Sequence, residues 1–222
     1  MKLVEYADRD MLMINLAQQL AGELNTALMS NDTASFAVPG GTTPGPAFDA
    51  LCAADLDWSR VHVMPTDERW VDESSERSNA RLIKQRLLTN RAADATFVPF
   101  YEKGVTPDNA MDGLAARLTS ALPLSVLLLG MGADMHTASL FPGAPQLEQA
   151  LSQDAPPAMP VTPAGQETRI TLTGPVLAGA VSTHVLITGE EKRAALAQAQ
   201  SLSMSEAPIN TVLANATVHW AA

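Results

Sequence analysis

Apolar and polar positions recur with two different periods along this chain, and the two periods predict strands and helices in turn. A short apolar run with no polar face, as at residues 124–129, is typical of a strand buried on both sides of a parallel sheet. Apolar residues spaced three or four apart, as at residues 8–29, are typical of a helix that packs one face on a core. The alternation over the whole length predicts a doubly wound, mostly parallel α/β sheet with helices on both faces, a Rossmann-like fold in a single domain of residues 1–222.

The predicted elements are bounded by glycine, proline and small polar residues. The strands are predicted at residues 2–6, 34–38, 61–64, 96–99, 124–129, 168–173, 181–188 and 217–220. The helices are predicted at residues 8–29, 44–51, 78–88, 108–122, 174–180, 190–199 and 208–213. Asp8 or Asp10 is expected to cap the first helix, and Ser78 or Asn79 the third. Residues 137–139 resume a helix-compatible pattern, and residues 143–165 predict an irregular excursion.

Composition narrows the class of protein. Of the 222 residues, 46% are apolar and 17% are charged, which is typical of a globular chain with a sizeable core. The formal net charge of −10 argues against general affinity for nucleic acid or anionic membrane, so an anionic substrate needs a local cluster of Arg and Lys. Cys52 is the only cysteine, which excludes an intrachain disulfide and a cysteine-based metal site. No signal-peptide core or membrane-length apolar run is present, which predicts a soluble cytoplasmic protein; its oligomeric state is left open.

Polar residues collect at four predicted strand-to-helix junctions, at residues 40–43, 67–69, 134–136 and 189–192. These junctions share one edge of a parallel sheet, so we expect distant groups to meet there. A glycine-rich turn before a helix also points backbone N–H groups at an anion. The turn at residues 40–43 is neither a Walker loop nor a GxGxxG fingerprint, so it does not imply a nucleotide.

Each of these segments has a plainer interpretation as well. Residues 40–44 could form a tight turn without a ligand, residues 67–69 a solvated surface loop, and Asn79 a helix cap. An isolated histidine is more often structural than catalytic, and a structural role is what we expect of the remaining histidines. These are His62, His184 and His219.

Five segments, in register, resemble one known family. GMGADMHTASLFP at residues 130–142 resembles the GxGxDGHxASLFP segment of 6-phosphogluconolactonases. GGTTP, DERWV followed by a Ser-Asn pair, RITLT and GEEKRAAL match further motifs of that family in its order. The resemblance runs from about Phe36 to Leu196. The wider superfamily includes glucosamine-6-phosphate deaminases and phosphosugar-sensing domains of bacterial regulators.

The resemblance implies hydrolysis of 6-phospho-D-glucono-1,5-lactone to 6-phosphogluconate in the oxidative pentose phosphate pathway, with neither metal nor cofactor. His136 would be the general base that activates water, since imidazole titrates near neutral pH. Asp134 or Asp67 would orient it or contact sugar hydroxyls. The residues implied in substrate binding are Gly40, Gly41, Thr42, Thr43, Glu68, Arg69, Asn79, Gly132, Arg169 and Lys192. Of these, Gly41, Thr42, Arg169 and Lys192 would hold the phosphate.

Two positions bear on this interpretation. The deaminases carry a carboxylate seven residues after the aspartate that corresponds to Asp134, where this chain has Phe141. That difference disfavours amino-sugar deamination, which is one alternative to lactone hydrolysis. The other alternative is a non-catalytic phosphosugar-binding module. Met135 stands where the lactonases usually have glycine. If the loop needs a positive φ there, methionine is expected to strain it.

Overall fold

Ten strands and eight helices make up the computed structural model, which describes residues 1–222. The strands are β1 (Lys2–Glu5), β2 (Ala34–Val38), β3 (Val61–Pro65), β4 (Asp67–Arg69), β5 (Thr96–Phe97), β6 (Val126–Gly130), β7 (Ala158–Val161), β8 (Arg169–Leu172), β9 (Ser182–Thr188) and β10 (Thr217–Ala221). The helices are α1 (Arg9–Ser30), α2 (Gly45–Leu51), α3 (Asn79–Arg86), α4 (Met111–Thr119), α5 (Leu147–Leu151), α6 (Gly174–Ala178), α7 (Glu190–Ala199) and α8 (Asn210–Leu213).

Seven of the strands form one parallel sheet in the order β1-β10-β9-β6-β2-β3-β5. The chain crosses from one side of the sheet to the other, as a doubly wound fold requires. The predicted α/β fold with a mostly parallel sheet is therefore confirmed. No helix is both long enough and apolar enough to cross a membrane.

Two hydrophobic clusters cover the two faces of this sheet. In β6, Val126 and Leu128 belong to the cluster built on α1, α2 and α3, whereas Leu127 and Leu129 belong to the cluster under α4 to α8. All four side chains are at most 1% exposed. Successive strand residues point to opposite faces, so an unbroken apolar run is what a strand covered on both sides requires.

A second, antiparallel sheet was not predicted. It has the strand order β4-β8-β7, and its apolar residues pack into the same cluster as α4 to α8. Residues 168–173 were expected to be half-buried, but every residue of β8 is buried. Residues 143–165 were expected to be irregular, but they contain α5 and β7. Residues 137–139 form no helix, since the chain folds into a turn closed by a bridge between Thr137 and Leu140.

Side chains settle the two helix caps that the sequence left open. The Asp8 carboxylate accepts a hydrogen bond from the Met11 N–H at 2.7 Å, so Asp8 begins α1. The Ser78 hydroxyl accepts from the Arg81 N–H at 3.2 Å, so Ser78 begins α3 and releases the Asn79 side chain for another contact. An N-cap oxygen of this kind pairs one of the free N–H groups of the first helical turn.

A chain of hydrogen bonds with a buried centre joins α1 to β9, β10 and the end of β1. Glu23 Oε2 lies 2.6 Å from His184 Nε2, His184 Nδ1 lies 3.0 Å from His219 Nε2, and His219 Nδ1 lies 2.8 Å from the Tyr6 hydroxyl. Because an ionised Glu23 only accepts, the neutral histidines must each carry their proton on Nε2, and the chain runs from Tyr6 to Glu23. The structural role expected of His184 and His219 fits these contacts.

This histidine chain predicts a loss of stability in acid. Burial, reinforced by the neighbouring His184, lowers the pKa of His219 from 6.5 to about 4. Between these two pH values the unfolded chain binds a proton at His219 that the folded chain does not bind. The free energy of unfolding is therefore highest above pH 6.5 and falls as the pH drops toward 4. We expect the free energy of unfolding, from urea titrations, to fall by about 2 kcal/mol between pH 7 and pH 5.

The variant His219→Gln keeps one donor and one acceptor but cannot titrate, so most of that pH dependence should disappear. His62→Gln is the matched control, because His62 lies on β3 and makes no hydrogen bond to the other histidines. An unchanged slope in His219→Gln would show that other groups cause the acid sensitivity.

Candidate active site

A cavity of about 220 Å³ opens at the carboxyl edge of the parallel sheet. The segments after β2, β6 and β9 form its floor and sides, and strands β4 and β8 of the small sheet form the remaining wall. Its lining residues are Pro39, Gly40, Gly41, Thr43, Pro44, Asp67, Arg69, Asn79, Gly130, Met131, Gly132, His136, Ala138, Arg169, Leu186 and Lys192. The four predicted junctions thus meet at one edge of the sheet.

The turn after β2 approaches its neighbours too closely for a side chain at Gly40. A Cβ there would lie 1.9 Å from Oδ1 of Asn79, so the Asn79 amide occupies the space that glycine leaves free. Gly41 has a φ of +83°, which glycine adopts without strain. Thr43 reaches the cavity wall, whereas Thr42 is exposed and does not line it.

Asn79 connects the turn to β4. Its Nδ2 donates to the Asp67 carbonyl at 2.7 Å, and its Oδ1 accepts from the Arg69 guanidinium at 2.8 Å. Asn79 is the first residue of α3 and not its cap. The interpretation of residues 67–69 as a solvated surface loop is wrong, since Asp67 is 7% exposed and Glu68 is fully buried.

Glu68 supports the site without reaching the cavity. Its carboxylate accepts hydrogen bonds from the N–H groups of Asn79 at 2.8 Å and Ala80 at 2.7 Å, and from the Ser78 hydroxyl at 3.1 Å. Burial raises the pKa of Glu68, although these donors act in the opposite direction. The expectation that Glu68 contacts substrate is corrected, because both of its oxygens are used at the start of α3 and none of it lines the cavity.

The loop after β6 presents His136 to the cavity with Asp134 beside it. His136 Nδ1 lies 2.5 Å from Asp134 Oδ1, and the His136 carbonyl accepts from the Gly132 N–H at 3.0 Å. Partial burial would raise the pKa of Asp134, but the hydrogen bond and charge of His136 outweigh it and hold that pKa below its ordinary value. A Cβ on Gly132 would lie 2.2 Å from His136 Nδ1, so glycine is required for this pairing.

The two aspartates have different partners. Asp134 contacts the imidazole, whereas Asp67 accepts a 2.6 Å hydrogen bond from the buried Ser139 hydroxyl and faces the cavity. The sequence left open which of them accompanies His136, and the geometry selects Asp134.

Two arginines lie opposite one another on neighbouring strands of the small sheet. Arg69 of β4 and Arg169 of β8 are direct partners in register, and directly opposed like charges destabilise a sheet. Burial lowers the pKa of Arg169, with Asp67 acting in the opposite direction and Arg69 in the same direction. The Nε atoms of both arginines are buried and have no hydrogen-bond partner. Together with Lys192, they make the cavity strongly attractive to an anion.

Three contacts at the site had no clear counterpart in the sequence argument. Ser139 holds Asp67, Gln166 Oε1 accepts from the Arg169 guanidinium at 2.5 Å, and Phe141 stacks on His136 with 4.3 Å between ring centroids. Ser139 and Phe141 lie in the GMGADMHTASLFP segment, so the motif marks them without indicating their contacts. Gln166 lies between β7 and β8, where no pattern singles it out.

The fold and the cavity together define a class: a doubly wound α/β protein with a cationic site and a histidine–carboxylate pair at the carboxyl edge of its sheet. The sequence model of the family described as glucosamine-6-phosphate isomerases/6-phosphogluconolactonase matches residues 7–220. The chain therefore belongs to the glucosamine-6-phosphate isomerase/6-phosphogluconolactonase family.

Individual relatives agree with that assignment. The chain is 41% identical to a 6-phosphogluconolactonase of Rhizobium meliloti over 93% of this chain and 92% of the relative. It is 39% identical to a 6-phosphogluconolactonase of Pseudomonas aeruginosa over 92% and 88% of the two chains. The crystal structure of a 6-phosphogluconolactonase from Shewanella baltica superposes with a TM-score of 0.95 at 32% identity, covering 100% of this chain and 97% of that one.

Met135 does adopt the left-handed conformation that favours glycine, with a φ of +66°. Its N–H donates to the Gly132 carbonyl, and its carbonyl accepts from the Ile209 N–H, so the surroundings hold it there. We expect the free energy of unfolding, from urea titrations, to be about 1 kcal/mol higher for Met135→Gly than for Met135→Ala. Both variants lose the methionine side chain, but only glycine relieves the φ.

The control is Ala194→Gly on the exposed face of α7, where the same Ala-to-Gly exchange should destabilise by about 0.5–1 kcal/mol. If glycine is also the poorer residue at position 135, the left-handed backbone is not strained there.

Proposed function

We propose that this protein hydrolyses 6-phospho-D-glucono-1,5-lactone to 6-phospho-D-gluconate, the lactonase step of the oxidative pentose phosphate pathway. The observation that carries the proposal is the pairing of His136 with Asp134 at the wall of a cavity that also holds three cationic side chains. Relatives that match more than nine-tenths of this chain bear the name 6-phosphogluconolactonase. The substrate proposed is a phosphosugar lactone, which is both electrophilic and anionic.

His136 is proposed as the general base. Asp134, whose pKa lies below its ordinary value, is ionised near neutral pH and accepts a hydrogen bond from Nδ1. The imidazole then carries its proton on Nδ1, which leaves the lone pair of Nε2 free to take a proton from water. The resulting hydroxide adds to the lactone carbonyl carbon, and the charge that develops on the imidazole is stabilised by Asp134.

The tetrahedral intermediate collapses when the bond between the carbonyl carbon and the ring oxygen breaks. His136 returns its proton to that ring oxygen, so the base is regenerated and the ring opens to a carboxylic acid with a free hydroxyl. The carboxyl group then releases its remaining proton to solvent, and the product leaves as the carboxylate. Arg69 is proposed to stabilise the oxyanion, because its guanidinium lines the cavity. No metal or cofactor takes part in this scheme.

The phosphate is proposed to bind between Arg169, Lys192 and the turn at Gly40, Gly41 and Thr43. A doubly charged phosphate would relieve the repulsion between Arg169 and its cross-strand neighbour, and the turn offers backbone N–H groups at the start of α2. Asp67, which accepts a hydrogen bond from Ser139 and lines the cavity, is proposed to accept hydrogen bonds from sugar hydroxyls.

The alternatives make different demands on the same cavity. An amino-sugar deaminase would need a second carboxylate at the place of Phe141, and here an apolar ring lies against His136. A non-catalytic phosphosugar-binding module would need the cations but has no use for an imidazole paired with a carboxylate. Hydrolysis is therefore the activity that these side chains favour.

Residues 1–222 are proposed to act as one domain, since the small sheet shares its hydrophobic cluster with the large one. A cytoplasmic location and the absence of nucleic-acid or membrane partners stay predictions, and the oligomeric state is left open. Measuring the disappearance of 6-phosphogluconolactone above its spontaneous hydrolysis, with glucosamine 6-phosphate in parallel, tests the proposed function. Turnover of glucosamine 6-phosphate alone, or of neither compound, would contradict it.

His136→Ala should lower lactonase turnover by about a hundredfold or more, the usual scale for losing a general base. Binding of 6-phosphogluconate, measured by calorimetry, should be retained because the cations are untouched. His62→Ala, on β3 away from the cavity, is the matched control and should turn over as the native protein does. Equal turnover in the two variants would remove His136 from the mechanism.

Arg169→Ala should mainly raise KM, by about tenfold or more, with a smaller effect on kcat, because the phosphate it binds takes no part in the reaction. Arg193→Ala removes an arginine that stacks on Trp220 outside the cavity, and it controls for the loss of one positive charge. A fall in kcat with KM unchanged would instead place Arg169 at the reacting carbonyl.

A further inference from the structure

Phe141 contacts the proposed base and the proposed phosphate ligand at once. Its ring stacks on the His136 imidazole with 4.3 Å between centroids and 28° between planes. The guanidinium carbon of Arg169 lies 5.1 Å from the centroid of the same ring. The base comes from the loop after β6 and the arginine from β8, so one aromatic side chain joins two elements that carry different parts of the site.

Phe141 packs in neither of the two hydrophobic clusters. Its neighbour Leu140 is 1% exposed and belongs to the cluster under α4 to α8, whereas Phe141 is half-buried and belongs to neither hydrophobic cluster. The contacts that distinguish Phe141 are therefore those with the His136 imidazole and the Arg169 guanidinium.

We propose that Phe141 is a positioning residue that holds the His136 imidazole and the Arg169 guanidinium over one aromatic ring, and so sets the base relative to the bound phosphate. The proposal rests on the function proposed above. A stacked ring restricts rotation of the imidazole about its last side-chain bond, a freedom that the single hydrogen bond to Asp134 leaves in part. The ring is also a platform for the guanidinium, whose Nε has no hydrogen-bond partner.

The ring also affects the charge of the base. The face of an aromatic ring attracts a cation, so Phe141 favours the imidazolium that forms when His136 takes a proton from water. Other charged groups act on the same imidazole. The carboxylate of Asp134 favours its protonation at Nδ1, and the further charged side chains that face it across the cavity are Asp67, Arg69, Arg169 and Lys192. Of these groups, only Arg169 also contacts the ring.

Three variants separate the ring from mere bulk. Phe141→Leu keeps an apolar side chain but removes the aromatic face, Phe141→Tyr keeps the face, and Phe141→Met is a second non-aromatic variant should the first fold poorly. We expect Phe141→Leu to raise KM by about three- to tenfold and to lower kcat by about tenfold, the scale of aromatic and cation–π contacts. Phe141→Tyr should restore most of both.

Two readouts report on position and not on general stability. In Phe141→Leu the ascending limb of the kcat–pH profile should move to lower pH by about half a unit, since losing the ring disfavours imidazolium. In the Arg169→Ala background, the same exchange should no longer raise KM, because the guanidinium it supports is gone. Phe141→Tyr should show neither change.

The proposal is overturned if Phe141→Leu and Phe141→Tyr behave alike, or if Phe141→Leu keeps the native KM and pH profile. Failure of the lactonase function itself looks different, because the native protein would then show no turnover above spontaneous hydrolysis. In that case the imidazole titration of His136, followed by NMR in the native protein and in Phe141→Leu, still decides the matter: equal titrations overturn the proposal and a lower midpoint in Phe141→Leu supports it.

Discussion

The buried carboxylate of Glu68 is the interaction on which the site depends. It lies at the start of α3, where free N–H groups and the positive end of the helix meet it, and it fixes β4 against that helix. Because side chains alternate along a strand, Asp67 and Arg69 then point to the opposite side, into the cavity. One residue that never reaches the cavity thereby sets the direction of two that do. A buried charge is tolerated here because donors surround both of its oxygens.

Much of the architecture could be predicted because burial on both faces leaves a simple pattern. The apolar run that includes Val126 to Leu129 is typical of a strand covered on both sides, and the glycines that follow such strands mark the edge where the site lies. The small sheet could not be predicted from the same pattern. Strand β8 alternates in sequence as if one side faced water, but its polar Thr171 is fully buried and its hydroxyl finds partners inside the protein.

The sequence predicted which residues belong to the candidate site better than it predicted the contacts between them. The motifs named His136 and Arg169, but the partner of the imidazole depends on how the loop from Gly132 to His136 closes, and the sequence left open whether Asp134 or Asp67 accompanies it. The contact of Gln166 with Arg169 could not be predicted at all, because Gln166 is a single polar residue between two short strands and belongs to no sequence pattern. Met135 is the opposite case: the departure from glycine was visible in the sequence, and the φ of +66° shows why it matters.

The carboxylate of Asp67 has a consequence for the end of the proposed reaction. A lactone brings no charge to the sugar end of the cavity, so Asp67 can accept its hydroxyl protons without repulsion. Ring opening creates a new carboxylate within the same small volume, beside an aspartate that is 7% exposed and therefore poorly screened by water. This repulsion opposes the attraction of Arg69 for the same carboxylate, so the product is held less firmly than the cations alone would hold it. Such an arrangement favours release of the product. A variant without the Asp67 charge would bind the product more tightly, and its product-inhibition constant would be lower.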